Sequence, residues 1–292
     1  MQRMNLSLSA IQLPRLSALR GIPVFSALVV LAMVIAAIFA PWIVPHDPSF
    51  QNFIVSLQPP VWQDGGTWSH PLGTDNLGRD IYSRLIYGAR LSLTIALFAI
   101  LLAGTIGIAL GLLAGYLGGI ADSLIMRVVD AFLAMPFILM ALAIVAALGP
   151  STFNIIVIMA VTNWPRYARL VRGEVLSLKQ TDFVLLARVA GLPAWKIAVK
   201  HILPNISNSI LVLATLDIGR VIILESSLSF LGVGIQPPDV SWGLMLSDGR
   251  SYMGVAWWLT VMGGVAILIS VLCVNVLGDW LRDRFDPRQD HQ

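Results

Sequence analysis

The sequence predicts an all-α polytopic membrane protein with six transmembrane helices, both termini cytoplasmic and one long helical loop on the cytoplasmic side. Three observations predict it. The mean hydropathy is +0.80, with 57% hydrophobic residues and only 12% charged, where soluble domains carry about 25% charged residues. Runs without Asp, Glu, Lys or Arg recur at the length of about 20 residues that a bilayer crossing needs. The positive charges are partitioned between the two sides that those runs define.

The same figures exclude a soluble enzyme, a disordered tail and a nucleic-acid binder. A sequence pI of about 9.3 reflects only 19 Lys+Arg against 16 Asp+Glu, and a net +3 spread along the chain makes no phosphate-binding stripe. The single cysteine, Cys273, permits neither an internal disulfide nor a cysteine-based metal cluster.

After a tail over residues 1–22, the first span (23–44) is Pro23–Val44, inside the uncharged interval between Arg20 and Asp47. A cleaved signal peptide fits it less well, because its apolar core would be about 7–15 residues and Pro41 would follow the small-residue site Ala37–Ala40. Segment 45–90 is irregular at first, with Pro45, Pro48, Pro59, Pro60, Pro71, Trp62 and Trp68. From Arg79 onward, charges alternate with Ile81, Leu85 and Ile86 at helical spacing, which predicts a short interfacial amphipathic helix.

Residues 91–278 hold the other five spans. The second is Leu91–Leu113; its Gly104, Gly107, Gly111 and Gly115 line a bare stripe suited to close helix packing, within the chain in preference to a dimer seam. The 35 uncharged residues between Asp130 and Arg166 are too many for one helix, and Gly149-Pro150-Ser151 divides them. A third span over Leu124–Leu148 and a fourth over Thr152–Leu170 follow. The fifth is Ile206–Leu231, and the sixth, Gly254–Leu277, leads to a tail over 279–292. With the N-terminus cytoplasmic, fourteen Lys/Arg fall inside, four outside, and Arg220 within a span, which sets the orientation.

The inside segment 173–205 is longer than a connector requires. Thr181 or Asp182 suits a helix cap, Gly191 a left-handed stop after Ala190, and Pro193 the first turn of a second helix ending before Pro204. Two short helices at an angle form a knob shaped for a groove on a partner.

This segment resembles the cytoplasmic "EAA" loop of bacterial ABC-importer permeases: Ala187, Gly191 and Ile202-Leu203-Pro204-Asn205 match the pattern, whereas Leu185 and Leu186 stand in place of Glu and Ala. His70-Pro71-Leu72-Gly73-Thr74-Asp75-Asn76-Leu77-Gly78-Arg79-Asp80, Gly115-Tyr116-Leu117-Gly118-Gly119 with Asp122, and Leu228-Ser229-Phe230-Leu231-Gly232-Val233-Gly234 are similar to the "C" permease of the dipeptide/oligopeptide/nickel branch. The resemblance covers about residues 20–288. It implies a subunit of the bacterial inner membrane that pairs with a second, homologous permease as a heterodimer in the lipid bilayer. It also implies two cytoplasmic ATPases, which bind the ATP and Mg, and an extracytoplasmic solute-binding protein. Asp182, Phe183, Leu185, Leu186, Ala187, Arg188, Gly191, Leu192 and Pro204 would then belong to a coupling-helix loop seated on one ATPase. The resemblance further implies di- or oligopeptides as the expected solute, with nickel chelates and opines as alternatives.

The residues themselves support a division of labour. There is no Gly-x-x-x-x-Gly-Lys-Ser/Thr phosphate loop, and none of Lys179, Lys196 and Lys200 follows a glycine. No cofactor is therefore expected on this chain, and no enzyme activity of its own. The four histidines, His46, His70, His201 and His291, are scattered without metal-ligand or triad spacing. Charges inside a span face a cavity or each other. Asp217 and Arg220 lie one turn apart and suit a pair, with Glu225 on a neighbouring strip. They form either a polar wall of a translocation path or a structural network, and an ion-coupled secondary transporter is the rival use for them. Arg127 and Asp130 are a second i,i+3 pair, expected to be structural.

Overall fold

The computed structural model describes residues 23–285; the expected tail 1–22 and the end of the expected tail 279–292 lie outside them. Helix α1 (Val24–Ile43) matches the first expected span to within a residue at each end. Residues 44–80 form an irregular cap containing one 3-10 turn, Phe53–Val55. Among the described residues there is no strand, only an isolated antiparallel bridge between Thr74 and Asp80.

Helix α2 (Ile81–Leu117) is 37 residues long and starts at Asp80, whose side chain accepts the Ser83 N–H at 2.8 Å. The expected interfacial helix is thus the first turns of the second span. No proline interrupts Ile81–Leu117, and Ile81, Arg84, Gly88 and Ala89 are buried by protein and do not lie on a lipid surface.

The expected third span is broken. Helices α3 (Gly119–Ala134) and α4 (Phe137–Leu148) meet at 94°, because Pro136 forces the preceding Met135 into extended backbone (φ −79°, ψ 130°). Helix α5 (Thr152–Leu178) begins at Ser151, whose hydroxyl accepts the Asn154 N–H at 3.1 Å. Helix α6 (Asp182–Val189) follows, then α7 (Ala194–Lys196), π-type turns over Ile197–Ile202 and α8 (Leu203–Phe230). The second knob helix therefore does not end before Pro204. The π turns carry it into α8, and Pro204 sits in the first turn of that segment, where a missing N–H costs little. Helix α9 (Trp242–Gly249) precedes α10 (Trp258–Phe285), which runs through the first residues of the expected C-terminal tail.

Among the described residues, four helical stretches are long and apolar enough to cross a membrane: α1, α2, Ala194–Phe230 and α10; the bent α3–α4 pair makes a fifth if it counts as one span. The expected fourth span, within α5, does not join them. Asn163, Arg166 and Arg169 dilute its apolar face, yet Ile155, Ile158, Met159, Tyr167, Ala168 and Val171 are buried. Its hydrophobic side faces helices, so it needs no lipid-length apolar run.

The core forms along α2 and α5. A Cβ added at Gly107 would lie 2.5 Å from the Trp164 carbonyl oxygen, one at Gly111 2.7 Å from the Ala168 oxygen, and one at Gly115 2.7 Å from Val175 Cβ. The glycine stripe is filled by α5 of the same chain, and the two backbones approach as closely as that absence of side chains allows.

Candidate functional site

Helix α6 is built as a short, sharply ended projection. Thr181 occupies the N-cap position, but its hydroxyl donates to the Leu178 carbonyl at 2.6 Å and not to the helix. Asp182 in the first turn and Arg188 in the last complement the helix dipole. At the far end Gly191 has φ +76°; its N–H donates to Arg188 O at 2.9 Å, and Leu192 N–H to Ala187 O at 3.2 Å. This is the paired 5→2 and 6→1 closure of a Schellman stop. An added Cβ at Gly191 would meet nothing within 4 Å, so the backbone angle alone calls for glycine there.

The inner side of α6 places Val184 and Ala187 against Val171, Val175, Ile197, Ile202 and Ile206. Its outer side leaves Phe183, Leu185, Leu186 and Val189 uncovered, Leu186 at 68% and Val189 at 86% exposure. Leu192 and Pro204 are also exposed, Pro204 in the first turn of α8. The expected loop residues therefore divide into a seated face and a bare apolar face.

Two polar ties connect this end to the bundle. Lys179 Nζ donates to the Tyr116 carbonyl at 2.7 Å, at the C-terminus of α2, where a cation offsets the negative helix end. The Tyr116 ring lies 5.6 Å from both Lys179 Nζ and the Arg188 guanidinium carbon. Arg172 of α5 grips Asp122 of α3 bidentately, at 2.6 and 2.7 Å. The expected Arg127–Asp130 pair is not made. Asp130 pairs with Arg169 of α5, and Arg127 is exposed.

Asp217, Arg220 and Glu225 separate likewise. Asp217 is buried and pairs with Arg166 of α5, not with Arg220. Arg220 instead borders a cavity of about 1080 Å³ that opens between α5, α8 and α10, alongside Arg166, Arg169, Glu174, Asn208 and Arg282. Glu225 does not line it. Its carboxylate accepts the Ser229 hydroxyl at 2.7 Å and the Ser241 hydroxyl at 2.8 Å. Ser241 in turn caps α9 by accepting the Leu244 N–H at 3.2 Å. Glu225 thus fastens α9 to α8, and of the three only Arg220 lines the cavity, while Asp217 lies buried behind the lining residue Arg166.

Sequence reasoning missed a charge network at the opposite end. Arg79 Nε lies 2.5 Å from Asp75 Oδ2, and its terminal nitrogen 3.0 Å from Asp248 Oδ2. Arg84, almost fully buried, reaches Asp248 at 2.9 Å and Asp75 at 3.6 Å. The network joins the cap, α2 and α9, and Trp258 Nε1 donates to Thr74 O at 3.1 Å over it. The dense Gly-Thr-Asp-Asn-Leu-Gly-Arg-Asp run was its available signal. Beside it, His46 and His70 converge on Asp80, although their spacing in sequence shows no ligand pattern.

Residues 107–291 match the family model described as "Binding-protein-dependent transport system inner membrane component", and residues 22–60 match the "N-terminal TM domain of oligopeptide transport permease C". The chain belongs to this family of transport-system inner membrane components. Among its relatives, the di/tripeptide transport system permease protein of Pseudomonas aeruginosa is 45% identical over 263 residues, covering 89% of this chain and 86% of that one. The dipeptide transport system permease protein of Haemophilus influenzae is 40% identical over 259 residues, covering 89% and 88%. The glutathione transport system permease protein of Pectobacterium atrosepticum is 42% identical over 267 residues, covering 91% and 87%. An inward-facing structure of the MetNI methionine ABC transporter superposes with a TM-score of 0.57 at 20% identity, over 70% of this chain and 97% of that one. That likeness concerns the fold alone.

Proposed function

We propose that this chain is one half of the translocation channel of an ATP-driven importer for short peptides. It crosses the bacterial inner membrane six times, α5 included, with both termini cytoplasmic, and pairs with a second, homologous permease. The ATP and Mg belong to two cytoplasmic ATPases, one of which receives α6 in a groove. An extracytoplasmic binding protein delivers solute to the opposite end.

The observation that carries this reading is α6 itself, a short helix seated on α5 and α8 whose outer face presents four uncovered apolar side chains. A helix in that condition suits a helix-in-groove contact, and the family supplies ATPase partners for it. Peptide as solute rests on the relatives, three of which carry di/tripeptide, dipeptide and glutathione in their names. The Arg220 and Arg169 guanidiniums beside the cavity are suited to a peptide carboxylate.

A cysteine at Leu186 is expected to cross-link to an ATPase subunit in the assembled complex, with a cysteine at Val184, on the seated face, as the silent control. No cross-link from any position over 182–191 overturns the docking. Transport by this chain alone in vesicles under an imposed ion gradient would favour the secondary-transporter alternative.

A further inference from the structure

We propose that His46, His70 and Asp80 bind one divalent transition-metal ion of the zinc type at the end of the bundle remote from α6. The three residues come from separate segments. His46 follows α1, His70 lies in the irregular cap, and Asp80 is the N-cap of α2. Their ligand atoms all lie within 4.8 Å of one another. His70 Nδ1 is 3.1 Å from Asp80 Oδ1, and His46 Nδ1 is 3.8 Å from Asp80 Oδ2. In a tetrahedral site with bonds of about 2.0–2.2 Å, ligand atoms stand about 3.4 Å apart. These two separations bracket that value, and with all three ligand atoms within 4.8 Å of one another, side-chain rotations bring them onto one ion.

Charge points the same way. The Asp80 side chain is fully buried, and its ion-pair neighbours among the described residues are these two imidazoles, with no Arg or Lys. A buried carboxylate needs a countercharge, and a divalent cation supplies it. His46 Nδ1 is a buried nitrogen with no hydrogen-bond partner, a state that calls for an explanation in a folded protein. A metal bond accounts for its lone pair.

The outer-sphere contacts are also in place. Ser83 holds Asp80 Oδ2 through its N–H at 2.8 Å and its hydroxyl at 2.6 Å. The same hydroxyl accepts the His46 backbone N–H at 3.3 Å. Ser83 thereby orients two of the three ligands, as supporting groups do in metal sites. The His70 and His46 side chains are 13% and 37% exposed, and His46 borders a cavity of about 720 Å³ with Asp47, Tyr87, Arg90 and Asp239. Two imidazoles and one carboxylate favour Zn, Ni, Co or Cu over Mg or Ca, and three protein ligands leave a fourth position for water from that cavity. The bound ion would staple the end of α1 to the start of α2.

The test uses the full chain in detergent with any affinity tag cleaved, stripped with chelator and titrated with Co²⁺. One Co²⁺ per chain is expected, with the visible absorption of a four- or five-coordinate site, displaced by one equivalent of Zn²⁺. His46→Gln and His70→Gln should each weaken binding by about tenfold or more, and His201→Gln, at the other end, should leave it unchanged. His46→Gln alters the more exposed ligand, so it carries the test if His70→Gln is not recovered folded. Absence of binding at millimolar Co²⁺ overturns the proposal, as does binding that His46→Gln does not change. The readout involves no transport, so its failure leaves the importer reading standing.

Discussion

Asp217 is held by Arg166 across the α5–α8 interface, and Arg220, one turn along its own helix, is left facing the cavity. The two arginines should therefore respond differently to replacement. Arg166→Ala leaves a buried carboxylate unpaired and is expected to destabilise the chain by about 3 kcal/mol, read as a lowered unfolding temperature in detergent. Arg220→Ala is expected to leave assembly intact and to depress peptide uptake. Equal loss of stability from both substitutions would contradict the assignment.

Gly107 touches the backbone of α5 with no room for a methyl group. Gly107→Ala should cost about 1–3 kcal/mol by overpacking, whereas Gly173→Ala, where an added Cβ meets nothing within 4 Å, should not destabilise. Thermal unfolding of the two variants side by side gives the comparison.

The stop after α6 depends on a positive φ at Gly191. Gly191→Ala is expected to cost about 1 kcal/mol locally, and Gly191→Asn less, since asparagine tolerates that conformation. The measurement is cross-linking yield at Leu186, which should fall further for alanine than for asparagine while the unfolding temperature changes little.

Arg84 lies buried between Asp75 and Asp248. Arg84→Met should lower stability by about 3 kcal/mol, and Arg84→Met combined with Asp75→Asn should lose less than the two single losses added together. Strict additivity in the denaturation midpoints would mean that the Arg84–Asp75 contact carries no coupling.

What the sequence discloses here is chiefly what is local. Pro23–Val44 and the Gly191 stop are written in adjacent residues, and both appear within a residue of where the pattern puts them. The kink at Pro136 was equally local, but counting uncharged residues across the run obscured it. Pro204 misled for the opposite reason. As a boundary signal it is sound in an α-helix, and the π turns over Ile197–Ile202 absorb it. The partners of Asp217, Asp130 and Glu225 were beyond reach, because each is chosen by packing between elements distant in the chain. Helical spacing nominates only neighbours on the same helix. His46, His70 and Asp80 share that property: their proximity exists only once α1 and the cap have been folded against α2.

Helix α2 has a mechanical consequence. At about 1.5 Å per residue, its 37 residues make a rod about 55 Å long, uninterrupted by proline. One end is bolted to the Asp75–Arg84–Asp248 network and the other to Lys179 beside α6. A rod pivoting at its middle moves both ends at once and in opposite directions. A tilt of only ~10° would swing each end by about 5 Å. Motion at the α6 end would then reach the far side of the membrane as leverage, with no relay of side-chain rearrangements between.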